Sequence, residues 1–497
     1  MNNNNPELAA IDLGSNSFHM IVAQESNSQL QILDKLRDPV RLASGLTSDN
    51  QLDSEVAERA LACLEQFGQR IRHINPENIR AVGTNTLRKA QKSGGFIKKA
   101  QRALGHSIEI ISGIEEARLV YLGVAHSLSD PGGQRLVVDI GGGSTEVIIG
   151  KAFKPIKLES LYMGCVNMTG RFFADGKITK QAMRKAIEAA SLEIHPIKRE
   201  YKAAGWNMAT GSSGTIRAIR DIAVNNGWSE NGITPESIKK LRNELIATGD
   251  ISKLDMKGLS ESRRPVIAGG VAILSAVFDA LNIDRMLHSN GALREGVIYD
   301  MIGRKHHKDV RESAILAFAK RYHTDEQQSL RVEKTACQIL DQVAVHWEIK
   351  KKPAKQWLHW ASMVYESGLV IAHSGYHKHG AYLIEHSNIA GFSNRDQGFL
   401  AVLIRAHRRK LKPELFEELP EYMLEHAAYM VTILRIAILL HRGRSPDKQV
   451  KINVSGEEKL LSLKFPDNWL ENNHMTRSGL EDEKKYLKKI DIKLHFS

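Results

Sequence analysis

Short apolar runs punctuated by glycine dominate the first part of the chain. Two of them, at residues 8–11 and 136–138, each end at an acid followed by glycine and then lead into a second apolar run, at 18–23 and 147–149. That pattern predicts strand, tight glycine turn, strand, twice over. Further strands are predicted at 29–36, 79–84, 108–111 and 206–210, and helices at 54–71, 85–104, near 180–203 and after Gly214. Two strand–helix series that open with the same hairpin imply a duplicated α/β fold with a cleft between its halves. After about residue 302 the apolar positions recur at helical spacing through 314–318, 332–347, 357–370 and 422–440, which predicts a helical domain. In the tail, 450–454 and 460–465 alternate about Gly456 like a hairpin, 481–490 reads as helix and 492–496 as a closing strand. That is a small α+β module.

The repeated turns are Asp12-Leu13-Gly14-Ser15-Asn16-Ser17 and Asp139-Ile140-Gly141-Gly142-Gly143-Ser144. Glycine lets the backbone turn sharply and approach a ligand closely. Successive backbone N–H groups in such a turn form a concave nest for an anion. Ser15, Ser17, Ser144 and Thr145 add hydroxyl donors. Asp12 and Asp139 would repel a bare phosphate, but they make sense as holders of Mg²⁺, because hard cations take oxygen ligands. The glycines lead into a strand rather than a helix, and no G-x-x-x-x-G-K-[ST] occurs, so this is not a P-loop.

Other candidates lie at strand ends, where ligands gather in α/β folds. Ser112 and Glu115 fit a capping box, which gives Glu115 a structural task and leaves Glu116 either as a general base or as a favourable charge at a helix N-terminus. Arg88 follows the strand at 79–84 and could neutralise a phosphoryl group. Glu146, two residues beyond Ser144, could join Asp139 and complete a metal site. Gly211, Ser212, Ser213 and Gly214 form another strand-to-helix junction suited to phosphate. The segment from Gly291 to Gly296 takes no role on pattern alone.

The 497 residues are too many for one core and suggest three or four domains. Hydrophobic content of 42% and charged content of 25% are those of an ordinary soluble chain. The Asn2–Asn5 run reads as a floppy start, and no secretory signal is expected. The apolar stretch 430–440 is too short to span a bilayer. Cys63, Cys165 and Cys337 are far apart and odd in number, which fits reduced thiols in a cytoplasm. The net charge of +12 is uneven: residues 349–412 hold 11 Lys and Arg against 3 Asp and Glu. Such a field recruits a polyanion. No aromatic-interleaved basic motif is present, so nucleic acid is not the expected partner.

These residues carry a resemblance to the exopolyphosphatase/guanosine pentaphosphate phosphohydrolase family. The matching segments are AAIDLGSNSFHM (9–20), VGTNTLRKA (82–90), IISGIEEARL (110–119), VVDIGGGSTEVIIG (137–150), MGCV (163–166), GSSGTI (211–216) and NGALREGVIY (290–299). GGGS at 141–144 and HSGYHKHGAY at 373–382 favour the long, four-domain exopolyphosphatase branch. The resemblance implies duplicated actin-like (ribonuclease H-like) ATPase domains at 1–118 and 119–303. A helical domain like the HD phosphohydrolases at 304–446 and a small α+β domain at 447–497 follow from it. It implies Glu116 as catalytic base with Arg88 near the scissile phosphate, and Asp139, Glu146 and Asp12 around Mg²⁺, with K⁺ open as an activator. The expected activity is processive release of terminal phosphate from inorganic polyphosphate, with hydrolysis of guanosine pentaphosphate (pppGpp) to the tetraphosphate as the alternative. A kinase of the same fold and a non-enzymatic polyanion binder are the remaining readings. The chain contains no His-Asp dipeptide, and Met363-Val364-Tyr365-Glu366-Ser367 stands where the HD doublet would fall, so no second metal-dependent active site is expected. Instead His373, His377, Lys378, His379, Arg405, His407, Arg408, Arg409 and Lys410 read as a polyphosphate track. The resemblance further suggests a homodimer in the cytoplasm, with peripheral contact at the inner membrane left open.

Overall fold

The computed structural model describes residues 6–26, 29–47, 51–90, 95–128, 132–305, 309–417, 419, 421–445 and 452–497. The Asn2–Asn5 run, the middle of the helix expected at 85–104 and the boundary at 446/447 lie outside them. The chain divides into two compact units, Met1–Asp309 and Val310–Ser497.

The first unit opens with β1 (Glu7–Leu13), β2 (Phe18–Ser26) and β3 (Gln29–Asp38), then α1 (Ser54–Ile71), β4 (Ile79–Gly83), α2 (Asn85–Ala90), α3 (Phe96–Leu104), β5 (Ile108–Ile110) and α4 (Gly113–Ser127). A second series follows: β6 (Gln134–Ile140), β7 (Thr145–Lys151), β8 (Lys154–Leu161), α5 (Cys165–Phe172), α6 (Lys180–Ala204), β9 (Met208–Ser212), α7 (Ser213–Asn225), α8 (Pro235–Thr248), α9 (Ile267–Leu281), β10 (Met286–His288) and α10 (Leu293–Lys305). The sheets have orders β3-β2-β1-β4-β5 and β8-β7-β6-β9-β10, the same path traced twice. In each, an antiparallel hairpin and a third antiparallel strand are extended by two parallel strands. The duplicated actin-like reading of the sequence is the fold observed.

Strand parity explains why the apolar runs are nearly continuous. Ala9, Ile11 and Leu13 face one core, while Leu8 and Ala10 face another. Likewise Leu136 and Val138 point into the outer core of the second sheet, and Val137 points inward. The inner core takes Leu8, Ala10 and Ile21 from the first sheet, Val137 and Ile148 from the second, and apolar faces of α4 and α10 between them. By the same alternation Asp12 lies on the face of Leu8 and Ala10, and Asp139 on the face of Val137. Both acids are thereby turned toward the space between the sheets. The segment Arg264–Leu281 is long and apolar enough to cross a membrane (mean hydropathy 1.6), yet 78% of it is buried within this unit.

The second unit runs through α11 (Val310–Arg321), α12 (Glu326–Val343), α13 (Lys351–Val364), α14 (Tyr376–His386), α15 (Asn394–Ala406) and α16 (Glu421–Leu440), then β11 (Asn453–Glu457), β12 (Leu460–Lys464), α17 (His474–Leu487) and β13 (Lys493–Phe496). The small sheet, of order β11-β12-β13, shares one apolar core with the helices. Gly456 does not form the hairpin turn, as the sequence pattern suggested. It sits inside β11 opposite Leu461, where a Cβ would lie 3.1 Å from Trp347 Nε1, and Lys459 takes the left-handed conformation (φ 57°) that reverses the chain.

Candidate active site

The tips of the two hairpins meet. A Cβ on Gly142 would lie 3.0 Å from Ser15 Cβ, and one on Gly143 would lie 2.7 Å from Asn85 Oδ1 at the start of α2. Gly14, Gly141, Gly142 and Gly143 all have φ outside the left-handed region. What Gly142 and Gly143 supply is room for close approach, not an unusual turn. Each tip is pinned from behind in the same way. The carbonyls of Ser15 and Asn16 accept from the N–H groups of Ala43 and Arg41, at 2.8 and 2.9 Å. The carbonyls of Gly141 and Gly142 accept from the N–H groups of Cys165 and Val166 at the start of α5, at 2.9 and 3.0 Å. With the carbonyls so occupied, the N–H groups of Ser15, Asn16, Gly142 and Gly143 have no acceptor among the described residues. They are free to serve as the anion nest expected from the glycine pattern.

Both tips line one cleft of about 690 Å³, together with Asp12, Glu116, Asp139, Ser213, Gly214 and a set of arginines. The acids that lead the hairpins are in register: Asp12 lies across the ladder from His19, and Asp139 across from Glu146. Glu116 enters from the first turn of α4, whose N-cap Ser112 accepts from Glu115 N. The reciprocal half of the expected capping box is replaced, because the Glu115 carboxylate takes Arg118 at 2.8 Å. Arg88 Nη1 lies 3.2 Å from Glu116 Oε2 and donates to Ile111 O at 2.6 Å. Burial pushes Glu116 up to about 7, against the pull of Arg88. Burial also lifts Asp12 to about 7 and Asp139 to about 6, and raises Glu146 well above its ordinary value, with the nearby carboxylates adding to the shift at Asp12 and Glu146.

A hard divalent cation fits this set. Asp12 Oδ1 is buried without a hydrogen-bond partner, and crowded anionic carboxylates need a counter-charge. Among the described residues no three His, Cys, Asp or Glu side chains converge tightly enough to enclose an ion by themselves. Mg²⁺ in general keeps several waters and is bound through one or two carboxylates plus substrate phosphate.

The cleft also holds a group of arginines to which sequence inspection gave no role. Arg37, Arg217, Arg263 and Arg294 line the same cleft. Arg37, Arg217 and Arg263 have no ion-pair partner among the described residues, and Arg294 meets only Glu295 at 3.7 Å. Burial lowers Arg37 and Arg263, and the repulsion of neighbouring arginines adds to it. His19 accepts at Nδ1 from Arg294 Nη1. Burial and the same arginines push it down to about 2, so it is neutral. Gly214 gives Arg263 its place, since a Cβ there would lie 2.0 Å from Arg263 Nη2. Ser213, just before it, holds φ 86°, a strained value for a residue with a side chain.

Several expected residues stand elsewhere. Thr145 is fully buried and donates to Met163 O at 2.5 Å, so it meets no phosphate. Gly211 is a strand residue packed against Ile216 and Met286. Ser212 is fully buried, with its hydroxyl on Gly291 O at 3.1 Å and on the Asp139 carboxylate, so it orients the acid rather than touching substrate. Glu146 lies behind the cleft wall, accepting from Ser160 Oγ at 2.8 Å. In the helical unit His407 is interior, its Nδ1 donating to Ile404 O at 2.6 Å and its Nε2 3.3 Å from Tyr376 OH. His377 is also buried. His373, Lys378, Arg409 and Lys410 are exposed, and His379, Arg405 and Arg408 half-buried, so the nine residues do not form one surface track.

Paired glycine hairpins with acids at their mouths, a buried carboxylate beside an arginine and a duplicated actin-like frame define a phosphohydrolase of the actin-like class. The chain matches the Ppx/GppA phosphatase family over residues 21–305 and domain III of the Ppx/GppA phosphatases over residues 310–484. It belongs to the Ppx/GppA phosphatase family. It is 39% identical over 486 residues to the guanosine-5'-triphosphate,3'-diphosphate pyrophosphatase of Pseudoalteromonas translucida, covering 98% of this chain and 97% of that one. It is 39% identical to the protein of that name from Vibrio cholerae, covering 96% of this chain and 95% of the relative. Among solved structures, a Ppx/GppA family member of Aquifex aeolicus superposes with a TM-score of 0.50 at 26% identity, covering 61% of this chain and 99% of that one. An exopolyphosphatase of Cytophaga hutchinsonii, at TM-score 0.54 and 21% identity over 60% of this chain and 97% of its own, shares the fold.

The near full-length relatives overturn the expected exopolyphosphatase activity. The two segments that favoured that branch do not separate the two activities. HSGYHKHGAY places His377 in the interior rather than on a surface.

Proposed function

We propose that the protein hydrolyses the 5'-terminal phosphate of pppGpp. The observation that carries this reading is the number of anion-binding groups that line one cleft, the hairpin tips with their carboxylates and four arginines. The hairpin nest and carboxylates suit a reacting triphosphate, while Arg37, Arg217, Arg263 and Arg294 suit a second oligophosphate arm that does not react. A nucleotide with a 5'-triphosphate and a 3'-diphosphate has both arms. The names of the full-length relatives support the same choice.

In the reaction a water oxygen bonds to the γ-phosphorus while the bond from that phosphorus to the β–γ bridging oxygen breaks. The electron pair stays on the bridging oxygen, giving ppGpp and inorganic phosphate. Glu116, with its pKa near neutrality, takes the proton of the attacking water. Arg88 steadies the Glu116 carboxylate and offers its guanidinium to the phosphoryl group. The free N–H groups of both tips hold the non-bridging oxygens. Asp139 and Asp12, with Glu146 behind, would hold Mg²⁺, which supplies charge neutralisation on the phosphate oxygens. Positioning and electrostatics are most of what phosphoryl transfer requires.

The test is phosphate release from pppGpp, GTP and long-chain polyphosphate, measured side by side. pppGpp is expected to give the highest kcat/KM. Replacing Arg217 or Arg263 by Met is expected to raise KM for pppGpp by about 10-fold or more, in line with the loss of a charged hydrogen bond, while moving GTP far less. Equal effects on both nucleotides would remove the arginines from recognition of the 3' arm.

A further inference from the structure

Glu116 reaches the cleft from the first turn of α4, and Arg294 reaches it from the first turn of α10. The contact that fixes these helices to each other lies behind the cleft. Arg118 Nη2 donates to Asp300 Oδ1 at 2.6 Å, while its Nε and Nη2 donate to the two Glu115 oxygens at 2.8 Å. Arg80 Nη1, on β4, and Arg304 Nε donate to Asp300 Oδ2 at 2.7 and 2.8 Å. Arg80 Nε also donates to Glu109 Oε2 on β5 at 3.0 Å. One carboxylate thus gathers guanidinium groups from β4, α4 and its own helix. Arg80, Glu115, Arg118 and Asp300 are all buried. With Glu109 and Arg304 the charges balance, three of each sign.

The helices leave no slack at their crossing. A Cβ on Gly123 would lie 2.0 Å from Ala292 O, and one on Gly296 would lie 1.8 Å from Leu119 O. α4 and α10 therefore touch backbone to backbone, and their relative rotation is set by the directional bonds at Asp300. A buried ionic cluster is a poor source of stability compared with apolar packing, but it can fix one geometry against near alternatives.

We propose that Asp300 is a positioning residue for hydrolysis: by locking α4 onto α10 it sets Glu116 against Arg294, and hence the water against the phosphoryl group. This rests on Glu116 being the base. Asp300 touches neither substrate nor reacting atoms.

The experiment compares wild type, Asp300→Asn, Asp300→Glu, Arg304→Met, Glu116→Gln and the Glu116→Gln/Asp300→Asn double variant, all full length, by phosphate release from pppGpp across pH. Asp300→Asn is expected to lower kcat by about 100-fold with KM little changed, the scale of a roughly 1 Å misplacement, and to move the acidic limb of the kcat/KM profile. Asp300→Glu restores part of the rate. Because Asp300 acts through Glu116, adding Asp300→Asn to Glu116→Gln costs little more than Glu116→Gln alone. A folded Asp300→Asn protein with the wild-type rate and limb overturns the proposal, and so does a fully multiplicative double variant. If Asp300→Asn does not fold, Arg304→Met decides. Its side chain is 20% exposed and its loss leaves the Arg80 and Arg118 bonds in place. A lower kcat with a displaced limb supports the proposal, and a lower melting temperature with an unmoved limb refutes it. Failure of wild type to cleave pppGpp would sink the substrate reading alone, since the same variants are then compared on whichever phosphoanhydride wild type hydrolyses.

Discussion

Glu116 sets the expected pH response at the residue scale. A base must be deprotonated to accept a proton, so kcat/KM should fall as pH drops below about 7, the value to which burial pushes this carboxyl. Glu116→Gln should lower kcat by about 10²-fold or more and flatten that limb, with nucleotide binding retained by calorimetry. A variant that keeps the wild-type rate would take Glu116 out of the mechanism. Asp12, Asp139 and the glycine tips were legible as cleft residues because each sits in a local motif whose chemistry is confined to a few neighbours, whereas Glu116 stood out through the family resemblance rather than its spacing. Arg37, Arg217 and Arg263 were not legible, because they are scattered along the chain and only the topology gathers them. Two misplaced residues did leave a signal. Thr145 shares its strand face with Val147 and Ile149, which fill the outer core. His407 continues the buried stripe of Leu400, Leu403 and Ile404 at helical spacing.

At the scale of elements, the hairpins act as a pair because their tips leave no room for a side chain. Gly142→Ala places a methyl 3.0 Å from Ser15 Cβ and 3.3 Å from Val166 Cγ2. It is expected to part the tips and cut turnover by about 10-fold or more, with little change in melting temperature. Unchanged kinetics would show that the nest tolerates separation. In the helical unit His359 donates to Glu312 and Glu333, both at 2.9 Å, and so staples α11, α12 and α13. Despite burial, those two carboxylates raise it to about 9. The folded value lies above the unfolded one, so this stabilisation is full below about pH 6.5 and disappears as pH rises through 9. His359→Gln should therefore destabilise by roughly 1 kcal/mol near pH 6 and by nothing near pH 10, as read by thermal melts. Long periodic elements such as α6 were legible from spacing alone. The helix expected at 85–104 is two described helices, α2 and α3; the Ser93-Gly94-Gly95 run was a break signal that the single-helix reading passed over, and the second helix starts from Gly95 with φ 77°.

The whole first unit is one structure written twice, and the hydrophobic pattern showed this because a repeated hairpin imposes a repeated alternation. Its branch within the family was misread: GGGS and HSGYHKHGAY pointed to the exopolyphosphatases, whereas the near full-length relatives are named guanosine-5'-triphosphate,3'-diphosphate pyrophosphatases. Four buried carboxyls give the unit a second pH signature. Asp12, Glu116, Asp139 and Glu146 all titrate above their unfolded values, so in the metal-free protein their own contribution to stability is greatest below about pH 4 and is lost as pH rises, through 6 to 7 for Asp12, Glu116 and Asp139. Added Mg²⁺ should raise the melting temperature at pH 8 and not at pH 4; equal shifts at both would place the ion elsewhere. The arginine group behaves differently. Its histidine is already neutral and its guanidinium groups stay charged, so acidity cannot adjust it. Ionic strength can, because dissolved ions screen charge over about 8 Å at physiological concentration. Salt should therefore govern how readily the nucleotide is captured while hydrogen-ion concentration governs how fast it is cut, two separate controls on a single pocket.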